Sequence, residues 1–149
     1  MSVLSSNDIH LRLLEISDYY KQYIDLLSHS YNIDLNKITI EQFTEYVNDL
    51  PKNTYIYILE ENGIIIGSIT LLIETKIIHN FGKVGHIEDV IIHKDYRNKK
   101  LGKILCNFCV NKSKEYGCYK VILDCNDDTI GFYKKLNFIK NGNQMCIYF

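Results

Sequence analysis

The sequence predicts an α+β fold, a mixed α/β arrangement in which helices cover the faces of a central β-sheet. Three observations carry this. Segments of alternating or β-branched residues interleave with segments whose apolar residues recur at helical spacing, in the order β-α-α-β-β-β-α-β-α-β. Glu61-Asn62-Gly63 joins two strand-like segments as a hairpin turn. Residues 119–125, YKVILDC, have an apolar middle, the pattern of an interior strand in a mixed or parallel sheet. With 149 residues and a 46% apolar fraction, the chain is expected to form one domain over its whole length.

The elements follow in order. Residues 9–14, IHLRLL, alternate as a first strand. Asp18 suits the N-cap of a helix running to about Ser28, with Tyr20, Ile24 and Leu27 on one face. Thr39-Ile-Glu-Gln42 fits a capping box, and Ile40, Phe43 and Val47 form the apolar face of the helix behind it. Residues 54–60, TYIYILE, read as a strand. Residues 64–75 are the return strand, with Gly67 marking close packing or a bulge. Residues 76–85 are expected to be a loop. A strand over residues 86–92 follows, then a helix from Leu101, with Ile104, Leu105 and Phe108 at helical spacing, stopped at Tyr116-Gly117. After the interior strand, a short helix spans residues 129–136 and ends at Asn137. Residues 138–149 are expected to form a last strand or hairpin.

Composition excludes several function classes. Seventeen basic residues against 18 acidic ones, a net charge of −1, argue against a general nucleic-acid binder. No apolar run approaches the ~20 residues of a membrane span, so no membrane partner is expected. The five cysteines, Cys106, Cys109, Cys118, Cys125 and Cys146, are odd in number, and no signal peptide is visible. A reducing, cytoplasmic location with free thiols is expected. Cys106 and Cys109 form a CxxC inside a helix. No second CxxC or Cys/His cluster accompanies it, so buried small hydrophobes are expected and no metal.

The chemistry concentrates in residues 86–105, HIEDVIIHKDYRNKKLGKIL. Alternation sends His86, Glu88, Val90 and Ile92 to one face and Ile87, Asp89 and Ile91 to the other. Adjacent carboxylates at Glu88 and Asp89 are costly in a core strand unless paired. The basic turn Arg97-Asn98-Lys99-Lys100, with Gly102 just beyond it, opens a helix. A helix start offers unpaired N–H groups and a partial positive charge, which is an anion site. The same residues also suit an ordinary strand–turn–helix with a solvated basic turn.

Arg97-Asn-Lys-Lys-Leu-Gly102 resembles the coenzyme-A signature of the GNAT superfamily of acyl-CoA N-acyltransferases, Arg/Gln-x-x-Gly-x-Gly/Ala, with Lys100 at the first glycine. More specifically, ETKIIH (residues 74–79), GHIEDV (85–90), LGK (101–103), YGCYK (116–120), LDC (123–125) and FYKKLNF (132–138) resemble the glucosamine 6-phosphate N-acetyltransferase family, in order and spacing, over the C-terminal half. The resemblance implies a GNAT-type fold, a central mixed β-sheet flanked by helices. It implies acetyl transfer from acetyl-CoA to the 2-amino group of D-glucosamine 6-phosphate, with acetyl-CoA as cosubstrate, no metal, and a homodimer.

The resemblance also implies residue roles. Asn98, Lys99, Lys100, Leu101, Gly102 and Lys103 would cradle the pyrophosphate. Val90, Ile91 and Ile92 would bind the pantetheine arm as an added strand, with the Val90 N–H on the thioester oxygen. Thr129 would contact coenzyme A. Tyr133 would place its hydroxyl on the coenzyme-A sulfur. Glu88, Asp89, Lys76, Ile77, Ile78, His79, Tyr119 and Lys120 would line the sugar-phosphate pocket. Asp124 would lie where the strands splay, and either Glu88 or Asp124 would be the base. Taken singly, Tyr133 reads more readily as a half-buried helix tyrosine, and Asp124 as a strand-end cap.

Three positions depart from the family pattern. Lys100 replaces a glycine, which is harmless only where φ is negative. Thr129 stands where an asparagine is usual. Tyr148 stands where an arginine contacts the sugar phosphate, and a phenol does not replace a bidentate guanidinium. Rival readings are a GNAT enzyme for another amine (a polyamine, an unphosphorylated amino sugar or a protein N-terminus) and a non-catalytic acyl-CoA-binding module. The apolar residues 145–149, MCIYF, suit a strand packed on a partner or within the monomer.

Overall fold

The computed structural model describes residues 9–149. Five strands, β1 (Ile9–Leu13), β2 (Thr54–Glu61), β3 (Ile64–Thr75), β4 (Lys83–Ile92) and β5 (Cys118–Ile122), form one sheet in that order. The first three pairings are antiparallel and β4–β5 is parallel. Helices α1 (Tyr23–Ser28) and α2 (Ile40–Asn48) lie between β1 and β2. A single turn, α3 (Ile78–Phe81), precedes β4, while α4 (Leu101–Glu115) and α5 (Asp127–Lys134) flank β5 in sequence.

Two apolar layers hold the sheet. Ile69, Leu71, Ile73 and Ile87 pack with Leu101, Leu105, Cys106 and Cys109 of α4. Ile56, Ile58, Ile65 and Ile91 pack on the other side with Tyr23, Leu26 and Phe43. Burial pushes both CxxC thiols up to about 12, so Cys106 and Cys109 are protonated core residues. The capping box on α2 forms as expected, with the Gln42 N–H donating to Thr39 Oγ1 at 3.3 Å and the Thr39 N–H donating to Gln42 Oε1 at 3.0 Å. Asn62 and Gly63 turn the β2–β3 hairpin with φ of 52° and 79°. Gly67 is a close approach and adjoins a bulge, in which Ile66 is the extra residue. The register shifts opposite Leu59/Glu60, and an added Cβ would meet Ile92 Cδ1 at 2.8 Å.

The structure corrects several expectations. Asp18 does not cap a long helix. It lies in a 3-10 turn (Ile16–Lys21), wholly buried, where Arg12 donates to both its oxygens at 2.8 and 2.7 Å. Burial alone would raise its pKa. The hydrogen bonds from Arg12 and the Glu15 N–H outweigh that and hold it below the usual carboxylate range. Gln22, with φ of 65°, then breaks the segment, so α1 starts at Tyr23. α5 begins at Asp127, behind Asn126. The residue 76–85 segment is no open loop: β4 already starts at Lys83, and His79, Asn80 and Phe81 form a left-handed turn.

The largest corrections concern the chain end. β5 is an edge strand, with Tyr119, Lys120 and Ile122 exposed, because nothing among the described residues pairs along its outer side. The expected last strand does not form. Residues 139–149 have no regular structure, and Ile139, Met145, Ile147, Tyr148 and Phe149 are each at least 80% exposed. A strand needs a ladder, and this segment finds none among the described residues.

Candidate active site

The site is built on a bulge. Thr70 of β3 faces Glu88, but Ser68 faces Ile91, so β4 carries one residue more than β3 across this interval. Asp89 takes the strain with φ of 50°. The bulge reverses the strand's parity. Ile87 joins the α4 side of the core, and Ile91 joins the α1–α2 side, although uninterrupted alternation would put both on one face. Glu88 and Asp89 are consequently both exposed in the middle of a strand that is otherwise largely covered.

The β4–β5 ladder ends at the His86–Ile122 rung. Beyond it the strands part, and among the described residues β4 has a free edge. Glu88 and Asp124 each stand two residues past that rung, which brings them to the same opening. A cavity of about 290 Å³ lies there, lined by Glu88, Asp89, Val90, Asp124, Thr129 and Tyr133 among the expected residues. Tyr31, Ile87, Cys125, Asn126 and Gln144 complete it. Periodicity and motif gave no sign of Tyr31 or Gln144, which lie in segments without helix or strand. A second cavity of about 490 Å³, largely apolar, opens on the α1–α2 side and meets the first at Tyr31 and Asp89.

Electrostatics differentiates the groups. Burial, then the charges of Asp124 and Asp89, push the Glu88 carboxyl above its ordinary range, with His86 opposing. Burial pushes the Tyr133 phenol up to about 12, so its O–H is a donor throughout the physiological range. Tyr133 is anchored by edge contacts to Phe132 and Phe138, with ring centroids 5.0 and 5.9 Å away.

At the far end of β4, α4 begins. Its first intrahelical bond is from the Ile104 N–H to Lys100 O at 3.1 Å, leaving the N–H groups of Leu101, Gly102 and Lys103 without helical partners. Gly102 allows α5 to approach, since an added Cβ would lie 3.3 Å from Phe132 Cζ. Lys100 has φ of 62° and Asn98 65°. The signature's first glycine is thus replaced where φ is positive, the circumstance in which lysine is strained. Lys100→Gly is expected to raise the unfolding free energy by roughly 0.5–1 kcal/mol, relief of left-handed strain exceeding the added freedom of the unfolded chain. Urea titration of the two proteins measures it, and equal or lower stability in the variant would contradict it.

The remaining expected residues lie outside the cavity. Ile91 is core, and Ile92 packs on Gly67. Lys76 pairs with Glu74 at 2.7 Å, and His86 contacts the other Glu74 oxygen at 2.8 Å. Hydrogen bonds from Lys76 and then His86 hold Glu74 below its usual range. His79 lies tilted against Tyr119 with centroids 4.2 Å apart, and Lys120 Nζ lies 5.7 Å from the Tyr119 ring centre. Ile77 and Ile78 are exposed. These residues form a basic and aromatic cluster on β3, β5 and the turn before β4. Among the described residues no three His, Cys, Asp or Glu side chains are gathered as a metal ion would need, and no helix is long and apolar enough to cross a membrane.

Known proteins match this arrangement. The model of the acetyltransferase (GNAT) family matches residues 18–138. The chain is 37% identical to a glucosamine 6-phosphate N-acetyltransferase of Candida albicans, over 93% of this chain and 94% of that one. It is likewise 37% identical to glucosamine 6-phosphate N-acetyltransferase 1 of Dictyostelium discoideum, over 99% and 96%. The crystal structure of glucosamine-6-phosphate N-acetyltransferase from Arabidopsis thaliana superposes with a TM-score of 0.88 at 36% identity, over 95% of this chain and 99% of that one. The chain therefore belongs to the GNAT acetyltransferase family, among the glucosamine 6-phosphate N-acetyltransferases.

Proposed function

We propose that this chain, acting as one catalytic domain, transfers the acetyl group of acetyl-CoA to the 2-amino group of D-glucosamine 6-phosphate. The products are N-acetyl-D-glucosamine 6-phosphate and coenzyme A, on the route to UDP-N-acetylglucosamine. The observation that carries the proposal is the parting of β4 and β5, which puts two carboxylates and a phenol at the end of a free strand edge. An extended pantetheine arm fits such an edge by adding a strand. The α4 N-terminus, with Lys99, Lys100 and Lys103, fits a pyrophosphate.

In this reading Glu88 takes the proton from the acceptor amine, directly or through water, its raised pKa matching the task. The neutral amine attacks the thioester carbonyl, and the Val90 N–H, beside the bulge, receives the developing oxyanion. The C–S bond breaks as the amide forms, coenzyme A leaves as a thiolate, and the second proton of the amine passes through water to that sulfur, giving the free thiol. Tyr133 hydrogen-bonds that thiolate and keeps its own proton, because a phenol near 12 is a much weaker acid than a thiol near ~8.5. Asp124 supplies negative charge facing the incoming ammonium. No acyl-enzyme forms, and Cys125 carries no acetyl group.

The sugar phosphate falls to His79 and Lys120, Lys76 being engaged by Glu74. Lys120→Met is expected to raise KM for glucosamine 6-phosphate about tenfold, with KM for acetyl-CoA unchanged. An equal rise for both substrates would remove Lys120 from phosphate binding. Tyr148, 91% exposed and outside the cavity, favours a second reading in which the acceptor carries no phosphate. Thiol release from acetyl-CoA with glucosamine 6-phosphate, glucosamine, spermidine and a peptide separates the two. We expect kcat/KM to be highest for glucosamine 6-phosphate, and parity with glucosamine would favour the second reading.

A homodimer completes the proposal. The outer edge of β5, open among the described residues, and the exposed apolar residues 145–149 are complementary, a ladder and a strand that could fill it. The five unpaired cysteines suit a cytoplasmic location.

A further inference from the structure

Gln144 was not expected at the site, yet its side chain lines the cavity. Its Nε2 donates to Asp124 Oδ2 at 2.8 Å. This is the one hydrogen bond made by the Asp124 side chain among the described residues. An ionised carboxylate only accepts, and Gln144 engages one of its two oxygens, leaving Oδ1 for a cationic group. Asp124 itself sits past the end of β5 with no ladder to fix it. Its geometry therefore depends on a residue of the C-terminal segment, which has no regular structure of its own.

We propose that Gln144 is a positioning residue for the acceptor amine, holding the Asp124 carboxylate by Oδ2 so that Oδ1 meets the incoming ammonium. This rests on the acetyl transfer proposed above. It also ties the path of the C-terminal segment to the acid pair at the site, so that displacing the segment loosens amine binding before it harms coenzyme-A binding. The groups facing the pair are Glu88, His86 and Asp89 from β4, Tyr133 from α5, Tyr31 from the segment after α1, and Cys125. None of these is hydrogen-bonded to Asp124, so none substitutes for Gln144.

A double-mutant cycle with Gln144→Leu and Asp124→Asn tests it. Gln144→Leu is expected to raise KM for the acceptor about tenfold, with KM for acetyl-CoA unchanged within about twofold. In the Asp124→Asn background the same substitution is expected to change KM less than about twofold, because its effect runs through Asp124. Equal losses in both backgrounds, or unaltered kinetics in Gln144→Leu, would overturn the proposal. A readout without substrate runs alongside. The side-chain amide protons of Gln144 in the NMR spectrum of the free protein are expected to shift on Asp124→Ala, and unmoved resonances would overturn the contact. If the unsubstituted protein acetylated no amino sugar, the acetyl-transfer reading would fail, while the NMR result would still decide the Gln144 contact.

Discussion

Glu88→Gln is expected to lower kcat by roughly 10²–10⁴-fold, the range general-base removal typically spans. Glutamine keeps the shape and can still hydrogen-bond the amine, but it cannot take the proton. The pH dependence gives the sign. In the proposed mechanism the working form of Glu88 is ionised, and burial with the Asp124 and Asp89 charges raises its pKa in the folded protein. The ionised fraction falls as pH drops through that raised value. The acid limb of kcat should therefore lie above the ordinary glutamate value of about 4.3. In Glu88→Gln that limb should vanish. In Asp124→Asn, with one neighbouring charge removed, it should move to lower pH. A limb that persisted unchanged in Glu88→Gln would assign the proton to another group.

Tyr133→Phe is expected to lower kcat by about 10²-fold, comparable to loss of one donor to a developing anion, with KM for both substrates within about twofold. The phenyl ring preserves the packing on Phe132 and Phe138, so only the hydroxyl is lost. In the proposed mechanism Tyr133 acts on the departing sulfur, so the loss should shrink for an acetyl thioester whose thiol is more acidic, as less charge then needs stabilising. The same loss with both thioesters would remove Tyr133 from leaving-group stabilisation.

Much of this site was readable in the residues, and the exceptions have physical causes. Glu88, Asp89, Val90, Thr129 and Tyr133, singled out in the sequence, line one cavity because strand, turn and helix follow one another locally, and short motifs mark them. The bulge at Asp89 was not readable, because nothing in IEDVII distinguishes a plain strand from one with an extra residue. Only pairing with β3 decides it. That one residue turned Ile91 to the opposite face from Ile87. β5 and the last segment failed for a related reason. Residues 118–122 and 145–149 have strand-like composition, but whether they find a ladder is a matter of what lies beside them, which alternation does not encode. Tyr31 and Gln144 reach the cavity from irregular segments, where no period exists to point a side chain. The strain at Lys100 was legible only as a condition, lysine in a glycine position, until φ of 62° supplied the answer.

The most direct measurement of the central claim uses acetyl-CoA labelled with ¹³C at the thioester carbonyl. It is mixed with glucosamine 6-phosphate and the protein, and the carbonyl resonance and thiol release are followed together. The account predicts conversion of the thioester signal into the amide signal of N-acetylglucosamine 6-phosphate, one thiol per amide, with no label on the protein. Thiol release with label appearing as acetate or on a cysteine, or no turnover of the sugar phosphate at all, would contradict it.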